Sequence, residues 1–479
     1  MGESRRGVGG ESRLIRSGVV LVLLFLANLT AVNVAAAAER RGQLEWCPTV
    51  EVATGGGQRG PWRQNESRYD YVDDPTVTLD ARGAAAVAWV DQRRKDVFFQ
   101  VYDRNSKPRF AQPVNVSRTA QVFSWLPRIV MAPQRPDDVF VLWQEIVFSG
   151  GSHGGDIFFA RSRDGGKTFD APLNISSSVG EDGKGRINRD VWHNGSLDLA
   201  IAADGTLYSA WTEYDGALWF SRSTDRGATF SKPVQIGGDN AKPARAPALA
   251  AGRGGSVHVA WTVGEDESAD IRMAASADGG RTFGEPRVVA QTPGYSDAPK
   301  IAVDANGTLH MVHAESARGP FDRYHVRYTR SHDGGRTFEA AREISKPAPV
   351  HSTSATFPAL SLDESGNVYV LWELHTDPRE MPRGLALAVS RDRGNTFSAP
   401  ALVPDSLDPN GGFNGSQQGL LMRKLAVSGG EVAVVNSSFR EGAKSRVWMI
   451  RAGCGRERPA RLRPPGSRSA GRSRPQPGG

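Results

Sequence analysis

The sequence is poor in the residues that usually announce chemistry. It holds two cysteines and nine histidines in 479 residues, and the histidines show no metal-ligand spacing. No metal or other cofactor is therefore expected, and His313 and His375 read as structural residues. Neither a nucleophile elbow nor a Gly-rich phosphate loop appears. The body of the chain also lacks net charge. The formal charge of +7 resides at the ends, with +6 in residues 455–479 and +2 in residues 1–38, leaving the stretch between them at −1. A nucleic-acid partner is excluded on that ground, because such binding needs a basic surface on the folded body.

What is present at the N-terminus reads as an export signal. Arginines precede the apolar run GVVLVLLFLANLTAVNVAAAA, which ends in small residues suited to cleavage near Ala38. An uncleaved anchor is the alternative and the one expected membrane contact. No lipobox cysteine follows. The Pro, Gly, Ser and Arg-rich tail 455–479 cannot bury enough apolar surface to fold. The organisation expected is a signal peptide at 1–38, a folded body at 39–454 and a disordered basic tail.

The body is built by repetition. The octapeptide SRDGGKTF (162–169) returns as STDRGATF (223–230), SADGGRTF (276–283), SHDGGRTF (331–338) and SRDRGNTF (390–397). Each copy follows a short apolar run and precedes another. Upstream, a Pro, a turn Gly eight residues on and an aromatic six further recur as Pro75/Gly83/Trp89, Pro247/Gly255/Trp261, Pro299/Gly307/His313 and Pro358/Gly366/Trp372. Leu197/Gly205/Trp211 keeps the spacing without the proline. Four short strands per unit at this period predict an all-β chain, a β-propeller of four-stranded antiparallel blades. Seven blades are read near 74–116, 126–177, 195–238, 246–291, 298–346, 357–404 and 419–453, six being the alternative count. The last unit is short of a strand, and CPTVEVA (47–53) is expected to supply it. Cys47 and Cys454 flank that closure, and an even pair in an exported chain reads as a disulfide.

The pattern S-x-D-x-G-x-T-F resembles the Asp-box, or BNR repeat, of the sialidase-like (neuraminidase) propellers, over residues 74–453. The aspartates Asp164, Asp225, Asp278, Asp333 and Asp392 are expected to accept hydrogen bonds within their own turns, with the glycines supplying positive φ. One carboxylate per copy is too few for a calcium loop. In that family the boxes lie on the face opposite the active site. Function is therefore sought at the other face, where the distance from the second-strand aromatic to the box varies from 12 residues (Trp211 to Ser223) to 19 (Trp143 to Ser162). The long inter-blade segments 179–196 and 404–419 belong there too.

The resemblance implies three arginines on the substrate carboxylate, an Asp acid/base and a Tyr–Glu nucleophile. The first of those arginines should open the first blade two residues before its proline, where this sequence has Asp73. Arg245-Ala246-Pro247 in the fourth unit is the nearest match, and Asp91 and Arg93 resemble the first-blade Asp-x-Arg segment. Two residues past the aromatic slot stand Asp91, Glu145, Glu213, Val263, Glu315 and Leu374. No Tyr–Glu pair can be assigned, although Glu213 and Tyr214 are adjacent. Acids near a pore point to polyhydroxyl, cationic or metal-assisted recognition, with basic residues to neutralise them.

The candidate catalytic residues are accordingly Asp91, Glu145 and Glu213. Candidate binding residues are Arg93, Arg128, Arg245, Lys300, Glu315 and Arg423. The expectation is a secreted or periplasmic monomer that recognises an extracellular glycan or glycoconjugate, with hydrolysis in reach. The alternatives are an active exo-sialidase or other glycoside hydrolase, and a non-catalytic protein-interaction scaffold.

Overall fold

The computed structural model describes residue 2 and residues 44–453, apart from 62, 64, 120, 147–154, 177–195, 214–215, 240, 265–268, 291–293, 320–321 and 408–422. Apart from residue 2, the segments 1–38 and 455–479, Cys454, Tyr214 and most of the two long inter-blade segments thus lie outside the described residues. The pairing of Cys47 with Cys454 stays a proposal for the same reason. The chain divides into Met1–Cys47 and Pro48–Gly479, and the second unit carries the fold.

Seven four-stranded antiparallel sheets make up that unit, a seven-bladed β-propeller with almost no helix. Blade 1 consists of Val72–Leu79, Ala85–Asp91, Asp96–Tyr102 and Val114–Asn115. Blade 7 consists of Leu425–Ser428, Glu431–Arg440 and Lys444–Ala452, and its fourth strand is Val50–Gly55, paired antiparallel to the third with Val50 opposite Met449. Ring and ends are thereby held by one ladder. A short ribbon, Gln58–Arg59 with Tyr69–Asp70, leads from this strand into blade 1.

The innermost strands show why proline recurs in them. Asp74, Leu126, Ala246, Ala298 and Phe357 have φ of 50°, 58°, 49°, 53° and 49°, and each immediately precedes a proline. The ladder with the second strand skips a step at each of these positions. Proline disfavours the right-handed helical region in the residue before it and offers no N–H. An edge strand facing the channel tolerates it, and the resulting bulge turns the next side chain. The sequence pattern suggests prolines that open strands; they sit inside the strands, at these bulges.

Blades are joined by apolar layers between consecutive sheets. Ala86, Ala88, Val97 and Phe99 of blade 1 pack with Ile129, Val141 and Trp143 of blade 2, for example. The box closes each layer at its rim. Phe169 meets Phe99 edge-on at 5.3 Å, and Phe230 meets Phe159, Phe283 meets Phe220 and Phe397 meets Tyr328, each at 4.8 Å. Each box thus docks on the third strand of the preceding blade. The fifth box residue must be glycine: a Cβ on Gly166 (φ 89°) would sit 2.0 Å from Phe99 Cε1.

Within each turn the aspartate is saturated by its neighbours. In the first box Ser162 Oγ donates to Asp164 Oδ1 at 2.7 Å, Thr168 N to Oδ1 at 3.0 Å and Thr168 Oγ1 to Oδ2 at 2.7 Å. The other four boxes repeat this geometry. Partial burial works against ionisation of Asp164, but the bonds from Thr168 and Ser162 outweigh it and bring the carboxyl down to about 2.

Candidate functional site at the channel mouth

The inner strand of every blade runs from the end of the ring opposite the boxes, because the third strand is parallel to the first and the box follows it. The starts of the inner strands therefore encircle the other mouth of the channel. Thr76, Arg128, Asp198, Ala248, Lys300 and Ala359 share one register on these strands, about midway along all but that of Asp198. Each pairs with the residue just before the second-strand aromatic slot: Ala88, Leu142, Ala210, Ala260, Val312 and Leu371. Arg423 lies just ahead of the inner strand of blade 7, and its carbonyl accepts Val77 N–H at 3.1 Å.

Arg423 and Arg128 meet at Asp198, and Lys300 lies within electrostatic reach of all three. Arg423 Nη2 donates to Asp198 Oδ2 at 2.8 Å, a contact between blades 7 and 3 that crosses the channel. Arg128 Nε lies 3.7 Å from Asp198 Oδ1, and Leu249 N–H donates to Oδ2 at 2.8 Å. Arg128 also donates to the Pro127 carbonyl at 2.9 Å. Burial opposes ionisation of Asp198, yet Arg423, Arg128 and Lys300 hold its carboxyl below the ordinary range. Burial pushes Lys300 down to about 8, against the pull of Asp198, and Arg128 down to about 10. Asp198, Lys300 and Arg423 line a cavity of about 330 Å³ that runs along the inner strands toward the box end, past Val77, Ile129 and Leu360 to Leu79, Val303 and Leu362.

A second group stands beside them on blades 4 and 5. Arg245 bonds the Tyr295 hydroxyl, covers that ring at 5.3 Å from its centroid and lies 3.3 Å from Asp297. Asp297 also accepts Thr262 Oγ1 at 2.9 Å. Tyr324 packs edge-on against Tyr295 at 6.2 Å. On the far side, Lys424 forms a fully buried ion pair with Glu373.

The acids two residues past the aromatic slot do reach the same end of the ring, at the ends of the second strands. Trp143 Nε1 donates to Glu145 Oε1, and Trp211 Nε1 to Glu213 Oε1, both at 3.0 Å. Where the sequence has Val263 and Leu374 instead, Trp261 Nε1 and Trp372 Nε1 have no hydrogen-bond partner among the described residues. Glu145 and Glu213 are thus the acceptors of buried indoles, and Thr119 Oγ1 donates to Glu145 as well, at 3.0 Å. Burial raises the Glu145 carboxyl, against the bonds from Trp143 and Thr119. Glu315 is held below its usual range by His313 and Arg327, whose Nη2 donates at 3.0 Å.

Asp91 differs from its counterparts. Its side chain is 23% exposed, it accepts Arg94 N–H at 3.1 Å, and burial lifts its carboxyl above the ordinary value. Arg93 is exposed in the same turn. Asp73, at the position where a sialidase would place its first arginine, is buried, bonds Gln92 at 2.8 Å and is pushed well up by burial and by Asp74. No group of metal-binding side chains occurs among the described residues, nor is any helix there long and apolar enough to cross a membrane.

Asp198, Asp297, Tyr295, Tyr324 and the Lys424–Glu373 pair were not singled out by sequence reasoning. Aligning the residue after the recurrent proline would have exposed Asp198, since that column reads Thr, Arg, Asp, Ala, Lys, Ala.

Comparison with known proteins places the architecture. No family model matches the sequence, and no curated protein matches it. Among solved structures, an ulvan lyase of polysaccharide lyase family PL25 aligns with TM-score 0.53 at 11% identity, covering 84% of this chain and 95% of its own. The polysaccharide lyase Uly1 gives TM-score 0.51 at 11% identity, over 86% and 99%. The Hadza microbial sialidase Hz136 gives 0.42 at 15% identity, over 64% of each chain. At 11% identity, the likeness to the two lyases is one of fold alone.

Proposed function

We propose that this is an exported propeller that recognises an extracellular glycan over the channel mouth opposite the boxes. The observation that supports the reading is the convergence there of Arg128, Asp198, Lys300, Arg423, Arg245 and Tyr295 from five different blades. Charged forks next to aromatic faces suit polyhydroxyl ligands bearing polar or ionic substituents. The two lyases that share the fold act on polysaccharide by their names, which makes glycans the first ligand class to test. The protein is proposed to act as a monomer outside the cytoplasm, with the Cys47–Cys454 disulfide fastening the ring.

Hydrolysis is the second reading, and Asp91 favours it. Its carboxyl combines partial exposure with a raised proton affinity, as a general acid requires. Glu145 and Glu213 are its candidate partners, each held in place by an indole.

The test is a panel of polysaccharides and aryl glycosides presented to the full chain, read for binding and for release of product. Binding without turnover supports recognition. Turnover abolished by Asp91→Asn supports hydrolysis. Neither binding nor turnover across the panel overturns both readings and leaves the protein-interaction scaffold.

A further inference from the structure

The interface between blades 4 and 5 departs from the pattern that joins the other blades. Five blades place a tryptophan in the aromatic slot of the second strand, and Trp89, Trp143, Trp211, Trp261 and Trp372 are each buried against the preceding blade. Blade 5 has His313 there. The third strands differ at the same interface. Phe99, Phe159, Phe220 and Tyr328 each meet the next box phenylalanine, but blade 4 offers Met273, and Phe338 packs against no aromatic ring among the described residues.

A cleft of about 300 Å³ lies at this interface, lined by Val289, Ala290, His313, Thr329, Phe338 and Glu339 among others. One interface earlier the equivalent place is filled. Gly237, on the fourth strand of blade 3, pairs with Leu218 as Ala290 of blade 4 pairs with Ile271. A Cβ on Gly237 would lie 2.7 Å from Trp261 Cζ2, so the indole of blade 4 reaches that strand. Between blades 4 and 5 the two equivalent residues, Ala290 and His313, line the cleft instead. Its volume is at the lower end for small-molecule sites.

His313 also lacks a hydrogen bond. It is fully buried, its Nδ1 has no partner among the described residues, and its Nε2 stands 3.9 Å from Glu315 Oε2, too far for one. A proton on Nε2 faces that carboxylate, which leaves Nδ1 as a buried acceptor with nothing to accept. The other polar groups of the cleft are occupied. Thr329 Oγ1 donates to the Glu339 carbonyl at 2.6 Å, and the Glu339 carboxylate accepts Arg330 Nε at 2.9 Å.

We propose that this cleft binds a small flat heteroaromatic molecule of indole size. Its ring takes the place that tryptophan fills in the other blades, and its N–H donates to His313 Nδ1. No inner-strand residue lines the cleft, so the site is separate from the channel mouth, and the proposal does not rest on the glycan reading.

The experiment is calorimetric titration of the full chain with indole and with 1-methylindole, which keeps the ring and lacks the N–H. One indole should bind per chain with a Kd below about 1 mM, and 1-methylindole at least about tenfold more weakly. His313→Trp should abolish indole binding and leave the melting temperature unchanged or higher. His313→Leu keeps the space and removes the acceptor, so indole should fall to the affinity of 1-methylindole. No binding of indole to the native chain overturns the proposal. Binding unaffected by His313→Trp does so too, because it would put the indole elsewhere. A His313→Leu variant that still prefers indole about tenfold over 1-methylindole would refute the role of Nδ1, and this comparison decides alone if His313→Trp does not fold.

Discussion

The two mouths of the ring use carboxylates in opposite ways. At the box end, five nearly identical turns each hold an exposed or half-buried aspartate bonded to its own neighbours, and all five carboxyls are shifted down. At the other end the blades diverge, and only blades 4 and 6 carry the same residue, alanine. The same register slot carries Thr76, Arg128, Asp198, Ala248, Lys300 and Ala359, and most of the charged groups are buried. A self-sufficient turn can be copied around a ring, because it asks nothing of its partners except the ring beneath its glycine. A converging cluster cannot be copied, since each member is defined by what the other blades bring.

The largest effect should come from breaking a buried pair at the variable end. Glu373→Gln leaves the buried Lys424 without its paired carboxylate, and about 3–5 kcal/mol of stability should be lost. Denaturant unfolding measures it. A loss below about 1 kcal/mol would show that Lys424 is already neutral there, consistent with the strong downward push of burial on its ammonium.

Next comes the box end, through its glycine. Gly166→Ala meets both a left-handed backbone and the Phe99 ring, so about 2–4 kcal/mol is expected. Gly205 has φ 91° but open space at its Cβ, so Gly205→Ala should cost only about 1–2 kcal/mol. Equal costs in the two variants would mean that the packing of box on blade contributes nothing.

The ends also separate by pH. The box carboxyls, at about 2 for Asp164, Asp225 and Asp392, lie below the unfolded value near 4. Their contribution is complete above about pH 5 and disappears as pH falls toward 2. Asp73 has the opposite sign. Its folded pKa is raised, so the unfolded chain ionises first and stability declines as pH rises above about 4. Melting temperatures should therefore show Asp164→Asn flattening the acid limb. Asp73→Asn should stabilise the protein at pH 7 and not at pH 3. A stabilising effect of Asp73→Asn that is equal at both pH values would refute a buried proton on Asp73.

Much of the fold was legible because its signals are local. The spacing from Pro75 to Trp89 and the five boxes lie within single hairpins and mark six blades, and the strand runs of 419–453 with CPTVEVA supply the seventh. The site was less so. The Arg423–Asp198 contact joins residues 225 apart and exists only once the ring closes. The rim acids occupy a legible column, yet their use is settled by an indole N–H that the column does not display. Arg128, Lys300 and Arg423 were visible as basic residues near a pore, but the shared counter-ion was not.

The smallest effect sharpens that last point. Glu213→Gln keeps a carbonyl oxygen where Trp211 Nε1 points, so the indole stays bonded and the cost should be under about 1 kcal/mol. Glu213→Leu, copying the Leu374 of blade 6, leaves the indole without an acceptor, as Trp372 is. It should cost about 1–3 kcal/mol more than the glutamine variant if that hydrogen bond stabilises the blade. Equal unfolding free energies for the two variants would mean that a buried tryptophan tolerates either arrangement. The acid at the end of the second strand would then be retained for the ligand side of the ring rather than for its indole.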